Sequence, residues 1–151
     1  MKAINYKKFL KNILSLFLTL LVMSNLMDFI RKPTVPEDIN ATALYDLQGN
    51  PFFLPQLTQD KPTIVYFWGT WCGYCRYTSP TINALAKEGY PVVSIALRSG
   101  STQDVNDYLK EHQYEFTTVN DPHGALANQW GVNVTPTIIL LHQGKMDLAT
   151  T

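Results

Sequence analysis

A chain of 151 residues with 46% apolar side chains is long enough to bury one core of ordinary domain size. Its twelve Lys/Arg balance twelve Asp/Glu, but six of the cations and only one of the acids fall in residues 1 to 32. The remainder is acidic and offers no basic surface for nucleic acid. The two cysteines, Cys72 and Cys75, are too few for a disulfide framework, and no further cysteine completes a four-thiolate zinc or iron–sulfur site.

Residues 1 to 12 form a basic segment with Lys2, Lys7, Lys8 and Lys11, followed by an apolar run over residues 13 to 30 and then Arg31 and Lys32. At 1.5 Å per residue, about 18 residues span roughly 27 Å, near the thickness of a bilayer's hydrocarbon core. The excess of lysine on the N-terminal side predicts a cytoplasmic N-terminus and a domain outside the membrane. In a bacterium this is a single pass through the inner membrane with the domain in the periplasm. An uncleaved anchor is preferred over a cleaved signal because the apolar run continues past the small residues at Ser24 through Leu26, Met27, Phe29 and Ile30. Residues 31 to 40, with Pro33 and Pro36, read as an extended linker.

From residue 41 onward, β-like runs alternate with helix-like ones, the pattern of an α/β sheet flanked by helices. Residues 43 to 47 and 52 to 54 predict two short strands around a turn at Gly49-Asn50-Pro51. Residues 63 to 68 (Thr-Ile-Val-Tyr-Phe-Trp) are β-branched and aromatic throughout, which predicts a strand buried on both faces at the centre of the sheet. A helix is expected over residues 72 to 88, capped by Gly89 and kinked at Pro80, followed by a strand over 91 to 97. Ser101 and Asp104 have capping-box spacing for a helix with Val105, Tyr108 and Leu109 on one face. Asp121-Pro122 predicts the cap and first residue of a short helix ending at Gly131. Residues 137 to 141 and 145 to 149 predict a terminal hairpin around Gln143-Gly144.

The chemistry centres on Phe67-Trp68-Gly69-Thr70-Trp71-Cys72-Gly73-Tyr74-Cys75. Two cysteines separated by two residues at a helix start can close a small disulfide, and the helix N-terminus favours a thiolate on the first. Cys72 is the expected exposed nucleophile and Cys75 the more buried resolving thiol. An inert structural disulfide is the bland alternative. His112, His123 and His142 lie far from the cysteines in sequence and lack paired ligand spacing, so they read as surface residues and no metal ligand set is assigned.

Phe-Trp-x-x-Trp-Cys-x-x-Cys after a buried strand, Pro80 five residues past the second cysteine, and Gly131-Val132-Asn133-Val134-Thr135-Pro136-Thr137 before a late strand together resemble the thioredoxin superfamily. Leu44 to Gly49 looks like the N-terminal extension of its membrane-anchored TlpA/ResA/CcmG-like branch, and the copper-sensitivity suppressor protein D type is the match suggested within it. The resemblance implies a thioredoxin fold over residues 41 to 151 and a cis peptide bond before Pro136, opposite Cys72. It also implies a client-docking surface of Trp71, Thr135 and Pro136, with Gly73 and Tyr74 in the active-site loop. Three departures stand out. Tyr66 occupies the position where many thioredoxins carry an acid that relays the resolving cysteine's proton. Thr137 follows the proline where the cytochrome c maturation branch commonly has Glu. The family usually ends on a helix, whereas this chain stops at Thr151 after the expected last strand, which implies a truncated chain or a sheet face left less covered.

The expectation is therefore a tethered extracytoplasmic thiol-disulfide oxidoreductase with no cofactor beyond its own Cys72-Cys75 disulfide. Its partners would be exported cysteine-containing proteins and a membrane electron-transfer protein, and the TlpA-like resemblance favours a reducing role. The rival reading is a Cu(I)-handling protein using the same two thiolates.

Overall fold

The structure is a computed structural model that describes residues 6–30, 33–36 and 42–151. It divides into two units, residues 1–32 and 33–151. In the first, helix α1 runs Tyr6–Ile30. It begins earlier than the expected span of residues 13 to 30, so Lys7, Lys8 and Lys11 lie in its opening turns. The stretch from Tyr6 to Met27 is long and apolar enough to cross a membrane, and its side chains are exposed.

Within the expected linker, residues 33–36 pack on the rest of the second unit. Pro33 is buried, the Thr34 N–H donates to the Trp130 carbonyl at 2.8 Å, and Val35 packs on a hydrophobic core. Apolar side chains and a satisfied backbone donor hold this proline-rich stretch to the domain. The rest of the linker, residues 31–32 and 37–40, lies outside the described residues.

The second unit opens with strands β1 (Leu44–Tyr45) and β2 (Pro51–Phe52), paired antiparallel, each shorter than expected. The Asp46 carboxylate accepts from the backbone N–H groups of Gln48 and Asn50, which tightens the turn so that only two residue pairs remain to ladder. Helix α2 (Leu54–Thr58), with Pro55 in its first turn, takes up Leu54, the last residue of the strand expected over 52 to 54.

The main sheet has five strands in the order β5-β4-β3-β6-β7: β3 (Thr63–Trp68), β4 (Val92–Leu97), β5 (Thr117–Asp121), β6 (Thr137–His142) and β7 (Lys145–Thr150). β3, β4 and β5 are parallel, and β6 and β7 add antiparallel. This mixed central sheet is the thioredoxin fold expected from the sequence. The two parallel crossovers are helices α3 (Cys75–Lys87) and α4 (Thr102–His112), and α5 (Ala125–Gln129) follows β5.

All six side chains of β3 are buried, and the twofold alternation of a strand divides them between two cores. Val65 and Phe67 join Val93, Ile95, Ile139, Leu141, Ala127 and Trp130 on one face. Ile64, Tyr66 and Trp68 join Val92, Ala96, Val105 and Leu109 on the other, together with both cysteines.

Helix α3 starts at Cys75 rather than Cys72, continues through Pro80, and ends at Lys87, with Gly89 beyond it in the left-handed region. Helix α4 has the expected capping box: the Asp104 N–H donates to Ser101 Oγ and the Ser101 N–H to Asp104 Oδ2. The expected helix at Pro122 is displaced. Asp121 pairs with Leu97 as the last residue of β5, and helix α5 begins at Ala125, after Gly124 in the left-handed region. Ladder pairing takes precedence over the local capping signal, although Asp121 Oδ2 still accepts from the Ala127 N–H at 2.9 Å. The terminal hairpin forms as expected around Gln143 and Gly144, both at positive φ.

Burial differs sharply within that hairpin: Ile139 is fully buried and Leu148 is 58% exposed. Ile139→Ala should lower unfolding free energy by about 2–5 kcal/mol through transfer and cavity terms. Leu148→Ala should stay within about 0.5 kcal/mol, both read from urea unfolding curves.

Candidate active site

The chain leaves the carboxyl end of β3 at Gly69, where there is no room for a side chain. A Cβ there would lie 2.7 Å from the Trp71 indole and 3.2 Å from the Leu97 carbonyl oxygen. Trp71, 59% exposed, lies over this glycine, and its Nε1–H donates to the Leu97 carbonyl at 2.9 Å. Ser99 ties the same loop down, accepting from the Thr70 N–H at 3.0 Å and donating to the Leu97 carbonyl at 3.1 Å. Gly69, Leu97 and Ser99 were not singled out from the sequence. A glycine directly after a buried strand carries a weak signal, and a backbone carbonyl carries none.

Cys72 and Cys75 are joined in a disulfide with their Cα atoms 5.3 Å apart. Cys72 lies in the turn before α3, its N–H bonded to the Gly69 carbonyl at 3.0 Å. The Cys75 N–H, the first of the helix, reaches both the Cys72 carbonyl and Cys72 Sγ at 3.2 Å. The helix start therefore presents a backbone donor to the first sulfur, the electrostatic setting that favours its thiolate. The expected exposure of Cys72 needs correction: in the disulfide form it is 5% exposed and Cys75 1%. Gly73 and Tyr74, the residues between them, are exposed.

The Thr135–Pro136 peptide bond is cis. In the antiparallel register of β3 and β6, Phe67 lies opposite Thr137, which carries Pro136 to the level of Trp68, at the end of the sheet where the Cys72 loop begins. The fold thus brings the cysteine loop and the Thr135-Pro136 segment to one end of neighbouring strands. Thr137 turns inward, buried, with its hydroxyl donating to the Val134 carbonyl at 2.8 Å.

Beneath the disulfide the core carries hydroxyl groups. Tyr66 and Ser79, both buried, are hydrogen-bonded to each other at 2.9 Å. Trp68 Nε1–H donates to Ser94 Oγ, which bonds to Thr118 Oγ1 at 2.8 Å. Burial pushes the Tyr66 phenol up to about 12, outweighing the bond from Ser79. Tyr66 is consequently neutral at physiological pH and is no substitute base for the acid expected at its position.

The three histidines lie at the surface. His112 stacks on Tyr108, His123 is exposed, and His142 Nδ1 is 3.8 Å from Asp147. Among the described residues no group of three or more His, Cys, Asp or Glu is placed to hold a metal.

The profile of the AhpC/TSA family matches residues 35–148. The chain belongs to that family. It is 67% identical over 145 residues to a thioredoxin-like protein of Haemophilus influenzae, covering 96% of this chain and 87% of the relative. A DsbE homolog of Paracoccus denitrificans, named as a thiol:disulfide interchange protein, is 33% identical over 60% of this chain and 50% of its own length. A crystal structure of a candidate DsbE thiol:disulfide interchange protein from Chlorobium tepidum superposes with a TM-score of 0.61 at 31% identity, covering 72% of this chain and 78% of the other. Together with the Cys72-Cys75 disulfide, these matches make this AhpC/TSA member a thiol-disulfide oxidoreductase of the thioredoxin-like, DsbE type.

The raised phenol of Tyr66 has a consequence for stability. Between pH 10 and about 12 it stays protonated in the fold, whereas a tyrosine of the unfolded chain ionises. The native state therefore binds the extra proton, and stability falls as pH rises through that window. Burial raises Tyr108 and Tyr114 in the same direction. Unfolding free energy should be insensitive to these groups below about pH 10 and should then decline. Tyr66→Phe should remove up to about 2.7 kcal/mol of that decline by pH 12, followed by denaturant titrations across the range.

Proposed function

We propose that this protein is anchored in a bacterial inner membrane by α1 and reduces disulfides of exported proteins on the periplasmic side, with Cys72 attacking and Cys75 resolving. The observation that carries the reading is the asymmetric pair at the head of α3. Cys72 Sγ receives the first helical N–H, while Cys75 lies deeper against the core.

In the dithiol form, the Cys72 thiolate attacks one sulfur of a client disulfide. A Cys72–client bond forms, and the other client sulfur leaves as a thiolate that takes a proton from solvent. Cys75, deprotonated, then attacks Cys72 Sγ. The Cys72–client bond breaks, the second client thiol departs, and two electrons have passed from the protein to the client. Extended client backbone would dock along Thr135 beside Pro136, which has no N–H of its own, with Trp71 at the rim of the site.

Each turnover leaves the disulfide form described above, and a membrane electron-transfer partner would restore the dithiol. The tether is supported by the 22-residue apolar stretch from Tyr6 to Met27, about 33 Å long as a helix. Its orientation is supported by Lys2, Lys7, Lys8 and Lys11 on one side against Arg31 and Lys32 on the other.

Cys72→Ser should abolish turnover of a protein disulfide, and full activity in that variant would remove Cys72 from the mechanism. The reduction potential separates the directions. A value near thioredoxin's, about −270 mV, fits a client reductase, whereas one near DsbA's, about −120 mV, makes the protein an oxidant. A membrane-impermeant thiol reagent added to intact cells after reduction should label Cys72 if the domain is periplasmic, and should leave it unlabelled if cytoplasmic.

A further inference from the structure

Cys72 has a backbone donor for its sulfur. Among the described residues no backbone N–H donates to the Cys75 sulfur, and it sits among apolar side chains that disfavour its thiolate. The resolving step needs that thiolate, so the groups around it decide how fast a mixed disulfide clears.

The titratable side chains gathered on this face of the sheet, besides Cys75, are Cys72, Tyr66, Tyr108 and Tyr114, with His112 against Tyr108 and Tyr114 and with Arg76 and Glu111 acting on Tyr108. The buried carboxylate among the described residues, Asp121, belongs to the other face. It follows Val119 by two residues on β5, and Val119 lies in the opposite core, as does Ala127, whose N–H Asp121 holds. Among the described residues no buried carboxylate lies on the face of Cys75.

What shares its core and its face of α3 is a pair of hydroxyls. Ser79 lies four residues after Cys75, on the same buried face of α3. Tyr66 shares the cysteines' core and bonds to Ser79 Oγ. Two hydroxyls carry two protons, and the bond between them uses one. Neither oxygen has another hydrogen-bond partner among the described residues, and both side chains are excluded from solvent, so one O–H remains to be given. In the disulfide, Cys75 Sγ is a poor acceptor; once reduced it becomes a strong one.

We propose that the Tyr66–Ser79 hydroxyl pair donates its remaining O–H to the Cys75 thiolate, so that a neutral dipole rather than a buried base readies the resolving cysteine. Neither hydroxyl gains or loses a proton: Cys75 gives its own to solvent, and the pair holds the charge left on sulfur. Tyr66 and Ser79 are thus positioning residues. The inference rests on the assignment of Cys75 as the resolving thiol.

The test uses the reduced full chain in detergent micelles and an aryl disulfide that releases one coloured thiolate at the Cys72 step and a second at the Cys75 step. Tyr66→Phe and Ser79→Ala should each slow the second release about tenfold at pH 7, the effect of raising the Cys75 pKa by about one unit, while leaving the first release unchanged. The deficit should vanish as pH rises above the Cys75 pKa, and Ser79→Thr, which keeps the hydroxyl, should restore the native rate. An unchanged second release, a slowing in only one of the two variants, or an equal loss in both steps at every pH would overturn the hydroxyl pair. Separately, a Cys75→Ser chain that fails to accumulate the half-reacted species overturns the resolving assignment itself, whatever the hydroxyl variants do.

Discussion

Strand β3 is the member on which the rest of the structure hangs. Its six side chains are removed from water on both faces, and each face seeds a different core. Burial of that kind requires helices or loops over both sides of the sheet. Phe67 and Val65 reach the side of Trp130 and α5, while Tyr66 and Trp68 reach the side of α3, α4 and the cysteines. Because β3 cannot slip by one residue without exchanging its two faces, the level at which it ends is fixed. The loop from Gly69 to Tyr74 starts from that level, and the β6 register brings Pro136 to it from the neighbouring strand.

A second constraint holds the loop in shape. The Leu97 carbonyl at the end of β4 accepts from Trp71 Nε1–H and from Ser99 Oγ, and Ser99 in turn accepts from the Thr70 N–H. Two parallel strands are thus stitched together past their last ladder bond, next to the disulfide. An indole that is more than half exposed is held by one hydrogen bond and by its contact with Gly69, which leaves its outer face open to solvent.

Much of this was legible in the sequence because strong local signals agreed with the tertiary outcome. The unbroken β-branched and aromatic run of β3, the Ser101–Asp104 box and the Gln143-Gly144 turn each carried their own mechanism. Local rules failed where a longer-range interaction prevailed. Asp121-Pro122 reads as a helix start, but Asp121 is needed to complete the ladder with Leu97, so the helix waits until Ala125. Cys72 reads as the first helical residue, but its N–H is taken by the Gly69 carbonyl, so the helix begins at Cys75 and its first N–H turns toward Cys72 Sγ. Pro33 to Pro36 read as solvated linker because proline content reports stiffness, not the presence of an apolar surface to dock on. The Tyr66–Ser79 bond joins residues thirteen apart on different elements, and no periodicity announces it.

The docking of residues 33–36 bears on how such a domain is held at work. Thr34 bonds to Trp130, and its hydroxyl oxygen would lie 3.4 Å from a Cβ added at Gly131. Trp130 anchors the core on the face away from the cysteines, yet Gly131 opens the segment that runs through Asn133 and Thr135 to Pro136. A pull along the proposed tether would first meet the Thr34–Trp130 backbone hydrogen bond, a few residues upstream of the Thr135-Pro136 segment. In the tether proposed above, docking of these residues would shorten the free leash, narrow the volume the site can sweep and raise its effective concentration toward clients within reach. Under the proposed tether an anchor would add to catalysis by confinement, while the chemistry stays with the two cysteine sulfurs and the Cys75 N–H aimed at the first of them.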